Sequence, residues 1–289
     1  MLLLDTPSLY FRAFYGIPDS VVSPRGEPVN AIRGLVDMVA RLVETRRPTH
    51  LVAAMDHDWR PAFRTALLPS YKAHRVAYGD VEQVPDLLSP QVPVIEDVLA
   101  AVGIAVVGAT GYEADDVIGT LATRSEMPVE VVTGDRDLFQ LVDDARDVKV
   151  LYTQKGLANL AVFDEALVRE KYGIPGRAYA DFALLRGDPS DGLPGVPGIG
   201  ENTAAALVTK YGSVEAMLGQ VPKVDAHREY VEAALPVVRV CTTCPIPPVD
   251  GELCRQPRDP ARLVELSDRW GLDSPLNRLL SVLDKVCPA

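Results

Sequence analysis

Cysteine is scarce, with four residues in 289, too few for a disulfide scaffold. No basic stretch precedes the first apolar residues, and Asp5 comes early in MLLLDTPSLY. That start reads as a strand and not as a signal peptide, which favours a reducing cytoplasm. Long apolar runs are missing too. The longest nearly uncharged stretch, Val98 to Gly111, falls short of the roughly 18 residues that a membrane span needs, so no membrane contact is expected. The four histidines, His50, His57, His74 and His227, have no metal-ligand spacing. There is no GxSxG, no Walker A run and no GxGxxG after a strand, which excludes the serine-hydrolase, P-loop and dinucleotide readings. Basic residues are outnumbered 29 to 40, a net charge of −11, and this argues against a generic nucleic-acid binder. What remains is ordinary for a folded chain: 47% apolar and 24% charged, long enough for one large domain or two modest ones.

The first half alternates strand-like and helix-like runs. Leu2–Leu4, His50–Met55, Ile104–Val107, Val129–Thr133 and Lys149–Tyr152 read as strands. Ala31–Glu44, with Leu35, Met38, Val39 and Leu42 on one face, reads as a helix, as do Val92–Val102 and Asp115–Arg124; Asp137–Leu141 starts another. Such alternation predicts an α/β domain with a parallel sheet covered by helices on both faces. From about Asp164 the texture becomes helical around a Gly/Pro-rich centre, so domains of 1–163 and 164–289 are expected. Residues 59–93 fit neither pattern. They are charged, carry an aromatic every few positions and are broken by Pro61, Pro69 and Pro85, and long insertions of this kind are usually functional.

In a doubly wound sheet, ligands bind beyond the carboxyl ends of the strands. Asp5 follows the first strand here and Asp56 the second. Glu113, Asp115 and Asp116 follow the third, and Asp135 and Asp137 the fourth. Asp188 and Asp191 add a further pair in the Gly/Pro loop. A single aspartate after a strand is as readily a helix cap, but a cluster repels itself unless cations neutralise it. Magnesium and manganese suit oxygen ligands. Two such ions roughly 4 Å apart clamp both oxygens of an in-line phosphoryl displacement, so the pattern points to phosphodiester hydrolysis without a protein nucleophile.

Two further segments point the same way. In Gly195-Val-Pro-Gly-Ile-Gly-Glu-Asn-Thr-Ala204, glycines permit a tight turn and close backbone approach. The amides from Glu201 onward would then face a phosphate, as in a helix-hairpin-helix, which grips backbone and not base sequence. In the irregular insertion, Arg60, Arg64, Lys72 and Arg75 can neutralise phosphates, and Phe63 and Tyr71 can stack on unpaired bases.

Taken together, the blocks Asp5 through LYFRAFY, FRTALLPSYKAHR, GYEADDVIGTLA, TGDRDLFQL and LLRGDPSDGLPGVPGIGENTA resemble the flap endonuclease and 5′–3′ exonuclease family, including the 5′-nuclease domain of bacterial DNA polymerase I. They cover most of residues 1 to about 212, in the family's order. The resemblance implies a PIN-like α/β nuclease domain with a helical arch at about 59–93. It also implies a helix-three-turn-helix DNA-binding region at about 181–212 and C-terminal helices packing back on the nuclease domain. It implies cleavage of 5′ flaps and of 5′ ends in DNA replication and repair, with two or three Mg²⁺ or Mn²⁺ ions held by Asp5, Asp56, Glu113, Asp115, Asp116, Asp135, Asp137, Asp188 and Asp191. Lys72 and Arg75 would act at the scissile phosphate, and Tyr71 would stack a flipped base. DNA contacts would come from Arg12, Arg64, Tyr71, Lys72, Arg75, Gly198, Gly200, Glu201, Asn202 and Thr203. A monovalent cation such as K⁺ would sit on the carbonyls of Val196 and Ile199. The expected partner is branched or 5′-flap DNA, bound by a monomer working beside a separate DNA polymerase or ligase.

Three departures from the family pattern stand out. Asp-Gly-Ser after the first strand is Asp5-Thr6-Pro7, and the usual SDN is Ser190-Asp191-Gly192. No polymerase region follows within the chain, so a stand-alone nuclease or a fragment of a longer one is expected. Cys241-Thr-Thr-Cys244, with Cys254 and Cys287, invites a zinc reading. It is set aside in favour of ordinary thiols, because the fourth cysteine is distant and the resembled family has no zinc there. Two rival functions are a PIN-like endoribonuclease, which leaves the hairpin and insertion unexplained, and a noncatalytic branched-DNA module, which leaves the carboxylates unexplained.

Overall fold

The computed structural model describes residues 1–79, 81–154 and 156–287. The chain opens with β1 (Leu2–Asp5), α1 (Thr6–Gly16), α2 (Asn30–Arg46), β2 (Leu51–Ala54) and α3 (Ala62–Leu67). A hairpin of β3 (Val76–Tyr78) and β4 (Val81–Glu82) follows, then α4 (Gln91–Val102), β5 (Ala105–Val107), α5 (Ala114–Arg124), β6 (Val129–Thr133), β7 (Val148–Tyr152) and β8 (Ala161–Phe163). The remainder is helical. α6 (Glu165–Tyr172), α7 (Tyr179–Arg186) and α8 (Glu201–Tyr211) lead through the short α9 (Val214–Met217) and α10 (Pro222–Asp225) to α11 (Arg228–Val238), α12 (Pro260–Trp270) and α13 (Asp273–Val286).

The sheet runs in the order β5-β2-β1-β6-β7-β8. Its pairings are parallel except for β8, which lies antiparallel on β7. Side chains of a strand alternate between faces, and here the alternation divides two cores. Leu3, Val52, Val131 and Val150 join the core beneath α5, α7 and α11. Leu2, Leu4, Leu51, Ala53, Val132 and Leu151 join the core beneath α2, α4, α12 and α13. Both faces are therefore dry, as a parallel sheet requires. The C-terminal α12 packs on α4 and α13 on α2, through Leu263, Leu266, Leu276 and Leu279. Among the described residues, no helix is long and apolar enough to cross a membrane.

Three local features differ from the sequence expectation. The sheet is not wholly parallel, because Ala161–Phe163 is too short to announce itself and returns along the β7 edge. Asp137–Leu141 is a 3₁₀ turn, closed off where Val142 meets Gly176: a Cβ there would stand 2.8 Å from the Val142 side chain. The arch segment holds one short helix, α3, a 3₁₀ turn at Ala73–Arg75 and the β3–β4 hairpin, since its prolines interrupt any longer helix.

Candidate active site

The carboxyl ends of β1, β2 and β6 and the start of α5 open on one cleft of about 580 Å³. Asp5, Asp56, Glu113, Asp115, Asp135 and Asp188 line it, together with Lys72 and Arg75. Asp5 is placed by two contacts. One oxygen accepts the Ser8 amide at 3.2 Å, capping α1, and the other accepts the Thr133 hydroxyl at 2.6 Å. The Thr6-Pro7 departure is compatible with this, because proline suits the first turn of a helix. Asp56 accepts the Ala114 amide at 2.7 Å, which ties the end of β2 to the start of α5. Asp188 accepts the Ser190 amide at 3.0 Å and one Arg186 N–H at 3.3 Å. Asp137 and Asp191 lie next to this group and interact with Asp135 and Asp188.

Asp5, Asp56, Asp115, Asp137 and Asp191 share one electrostatic condition. Burial, opposed by the Thr133 and Ser8 hydrogen bonds and aided by Asp135 and Asp56, pushes Asp5 up to about 7. Burial raises Asp56, with Lys72 opposing and Glu113 adding. Burial lifts Asp115 well above the usual carboxylate range, and Asp5 and Asp135 add to it. Asp137 is raised in the same way by burial, then by Asp135, Asp191 and Asp188, and Asp191 by burial against the pull of Lys72. A pocket of carboxyls that cannot all ionise together is short of positive charge. Its donors are all hard oxygens, which fits Mg²⁺ or Mn²⁺. Among the described residues no three acidic, histidine or cysteine side chains converge as a ready-made ion cage. Ions that keep several waters need only one or two direct carboxylates and room for the rest, and the cleft has that room.

The base of the arch is locked onto this pocket. Glu113 pairs with the Lys72 ammonium and the Arg64 guanidinium and accepts the Tyr71 hydroxyl at 2.7 Å. Burial would lower Lys72, but Glu113, Tyr71, Asp191 and Asp56 push it well above the ordinary lysine value. Arg75 donates to the Ser190 carbonyl at 2.8 Å and to Asp191 at 3.3 Å. Gly192 completes the join. Its φ is +73°, and a Cβ there would stand 2.1 Å from the Ser70 carbonyl oxygen, so the Ser-Asp-Gly departure is what lets the arch backbone lie against this loop.

Three expected site residues are placed otherwise by the structure. Arg64, expected on DNA, is only 2% exposed and donates to both Asp116 oxygens, to Glu113 and to the Val237 carbonyl. It fastens α3 to α5 and α11, so it has no face left for a phosphate. Asp116, expected on a metal, is fully buried and outside the cleft. Its oxygens are taken by Arg64 at 2.6 and 2.8 Å, the Cys241 amide at 2.7 Å and the Glu113 amide at 3.2 Å. Tyr71, expected to stack a base, is buried at 4% exposure with its hydroxyl on Glu113. Arg60 also turns inward, onto the carbonyls of Tyr71 and Pro69.

A family model described as 5′–3′ exonuclease, N-terminal resolvase-like domain, matches residues 1–173. A second, 5′–3′ exonuclease, C-terminal SAM fold, matches residues 174–252. The chain belongs to the 5′–3′ exonuclease family. It is 56% identical to a 5′–3′ exonuclease of Streptomyces coelicolor, over 98% of this chain and 99% of that one. It is 46% identical to DNA polymerase I of Mycobacterium tuberculosis, over 81% of this chain and 25% of that protein. Its fold is shared with T5 5′-exonuclease bound to zinc (TM-score 0.64, 17% identity, 99% and 98% covered). It is shared as well with flap endonuclease-1 from Methanococcus jannaschii (TM-score 0.62, 16% identity, 99% and 91% covered).

The exonuclease presents its second expected site on the helical side. Gly195 and Gly198 have φ of +74° and +77°, values open to glycine. Gly200 is the N-cap of α8 and makes no side-chain cap bond, so the first α8 amides stay available beside the exposed Glu201, Asn202 and Thr203. Val196 and Ile199 bury their side chains. The Val196 carbonyl accepts the Ile199 amide at 2.9 Å, and the Lys223 ammonium donates to the Gly198 carbonyl at 3.1 Å. Arg12 lies beside Gly134, and its buried Nε has no hydrogen-bond partner among the described residues.

Sequence reasoning missed Glu82, Arg136, Ser8 and Gln154, which also line the cleft. Glu82 arrives there only because the β3–β4 hairpin folds back, for which the sequence carries no signal. Arg136 could have been found, since it lies between two aspartates already chosen. The cysteine pair is accounted for structurally. The Cys241 and Cys244 amides donate to Asp116 and Thr120, and Arg124 donates to the Cys244 carbonyl, which straps this segment along α5.

Proposed function

We propose that this 5′–3′ exonuclease is a structure-specific 5′-nuclease that hydrolyses DNA at 5′ ends and at the base of 5′ flaps, using two or three divalent cations. One observation carries the reading: carboxyls from three strand ends, the start of α5 and the Gly/Pro loop share a single cleft with Lys72 and Arg75. Asp5, Asp56, Glu113, Asp115, Asp135, Asp137, Asp188 and Asp191 would hold the ions, directly or through water. Bound there, Mg²⁺ or Mn²⁺ supplies Lewis-acid stabilisation of the phosphodiester displacement. The protein does the rest. Lys72 and Arg75 stand on the cleft wall, where a cation meets the growing phosphate charge, and leave their carboxylate partners to do so. The orphaned Arg12 Nε is a donor in need of an acceptor; a phosphate oxygen is the acceptor proposed. The amides of Glu201, Asn202 and Thr203 grip the duplex backbone downstream, with K⁺ on the carbonyls of Val196 and Ile199. We further propose a monomer that works on branched DNA alongside a separate polymerase or ligase.

The test is cleavage of an end-labelled 5′-flap duplex with Mg²⁺, with Mn²⁺ and with chelator, beside single-stranded RNA of the same sequence. Cuts near the flap base that vanish with chelator are expected. Preferential cutting of the RNA would move the protein to a PIN-like endoribonuclease, and retained flap binding without any cutting would make it a DNA-junction module.

A further inference from the structure

Tyr71 is buried, Trp59, Phe11 and Tyr152 line the acidic cleft, and two strongly exposed aromatics lie just outside it. Tyr15, at the end of α1, is 73% exposed, and Tyr78, at the end of β3, is 75% exposed. Both line a separate cleft of about 780 Å³ with Val81, Val84 and Pro85. Single exposed rings are ordinary on a folded surface, whereas apolar side chains gathered in one cleft mark an interaction site.

Two observations choose the occupant. First, this cleft adjoins the acidic one, because Glu82 lines both. Arg75, which reaches the acidic cleft, ends the 3₁₀ turn that leads directly into β3, and Tyr78 is the last residue of that strand. A strand with its reacting phosphate among the carboxylates would continue onto the two rings. Second, among the described residues no lysine or arginine lines the outer cleft, and the charged ones that do are Glu82 and Asp86. Such a surface repels phosphate and suits the neutral faces of bases, whose amino groups can donate to the carboxylates.

We infer that Tyr15 and Tyr78 form a stacking site for unpaired bases of the single strand leaving the acidic cleft. The inference rests on the nuclease reading above and deepens it, by assigning where the flap is held apart from where it is cut. The ring faces carry the contact, so no base preference beyond stacking strength is expected.

The experiment compares three duplexes of one sequence: a ten-thymidine 5′ flap, an abasic flap of equal length, and a nick without a flap. Binding is read by fluorescence anisotropy in chelator, and cleavage with Mn²⁺. The wild type should hold the thymidine flap about tenfold more tightly than the abasic one, given the usual worth of one stacked base. Tyr15→Ala with Tyr78→Ala should erase that ratio and leave binding and cleavage of the nicked duplex unchanged, while Tyr78→Phe restores it. Equal binding of the two flaps by the wild type would overturn the inference while leaving the nuclease reading intact. A variant that weakens the nicked duplex as much as the flap would overturn it too. So would a wild-type dimer in sedimentation that the double variant dissolves, because the rings would then serve a second copy. No cleavage of any duplex by the wild type would instead remove the nuclease reading and this inference with it.

Discussion

The acidic cleft and the Gly195–Thr203 hairpin are built on opposite principles. The cleft gathers charge. Its carboxyls, buried or half-buried apart from the exposed Asp135, repel one another and are partly held by Lys72 and Arg75, so it carries a cost until cations arrive. The hairpin presents mainly backbone. Its amides at the start of α8 are exposed, uncapped and indifferent to divalent ions. The contrast teaches how a chain of net charge −11 can act on DNA. On the proposed reading, chemistry is placed where cations reverse the local sign, and grip is placed where no side-chain charge is needed.

The sharpest way to break the contrast is to remove divalent ions. Chelation should lower flap cleavage by at least about 1,000-fold, the scale set by losing the main electrostatic stabilisation, while hairpin-borne duplex binding stays within about threefold in anisotropy. Next comes the lock behind the cleft. Arg64→Met leaves Glu113 and Asp116 buried with their principal partner gone, and should cost about 3–5 kcal/mol in chemical denaturation. A loss near zero would mean that Arg64 is free in solution and available to DNA after all. On the other side, Thr203→Glu sets a negative charge against the α8 amides. It should weaken duplex binding about tenfold without changing the single-turnover rate at saturation.

The smallest effect is a pH dependence of the metal-free protein. Asp5 sits near 7 in the folded state against about 3.9 for a free aspartate, so between those values the folded state holds more protons than the unfolded one. Stability must then fall as pH rises from about 4 to about 7 and stay low above it. A melting temperature about 5 °C lower at pH 8 than at pH 5 is expected, and Mn²⁺ should recover it at pH 8. In Asp5→Asn the slope should be shallower.

Much of this arrangement is legible in the chain. Asp5, Asp56, Asp115 and Asp135 could be placed because strand ends in an open α/β sheet face one edge, and the short apolar runs mark those ends. Asp116 could not, because neighbours on a helix point about 100° apart: Asp115 faces the cleft, so Asp116 must face the interior, where Arg64 meets it. Arg64 and Tyr71 were misplaced for a related reason. Their segment has no hydrophobic period, so nothing in it distinguishes a basic side chain that reaches solvent from one that braces α5 and α11. Gly192 reads as the loss of an amide in sequence and as a required glycine only once Ser70 is seen against it. β8 and the β3–β4 hairpin are too short for any pattern to form.

The most direct test of the division between chemistry and grip is Asp135→Asn, measured for both on one 5′-flap duplex. The account predicts single-turnover cleavage reduced by at least about 100-fold, the scale of removing one charged group from a catalytic site, with the dissociation constant within about twofold of wild type in chelator. Lost binding with retained cleavage of whatever is bound would contradict it, and would place Asp135 on the gripping side of the molecule.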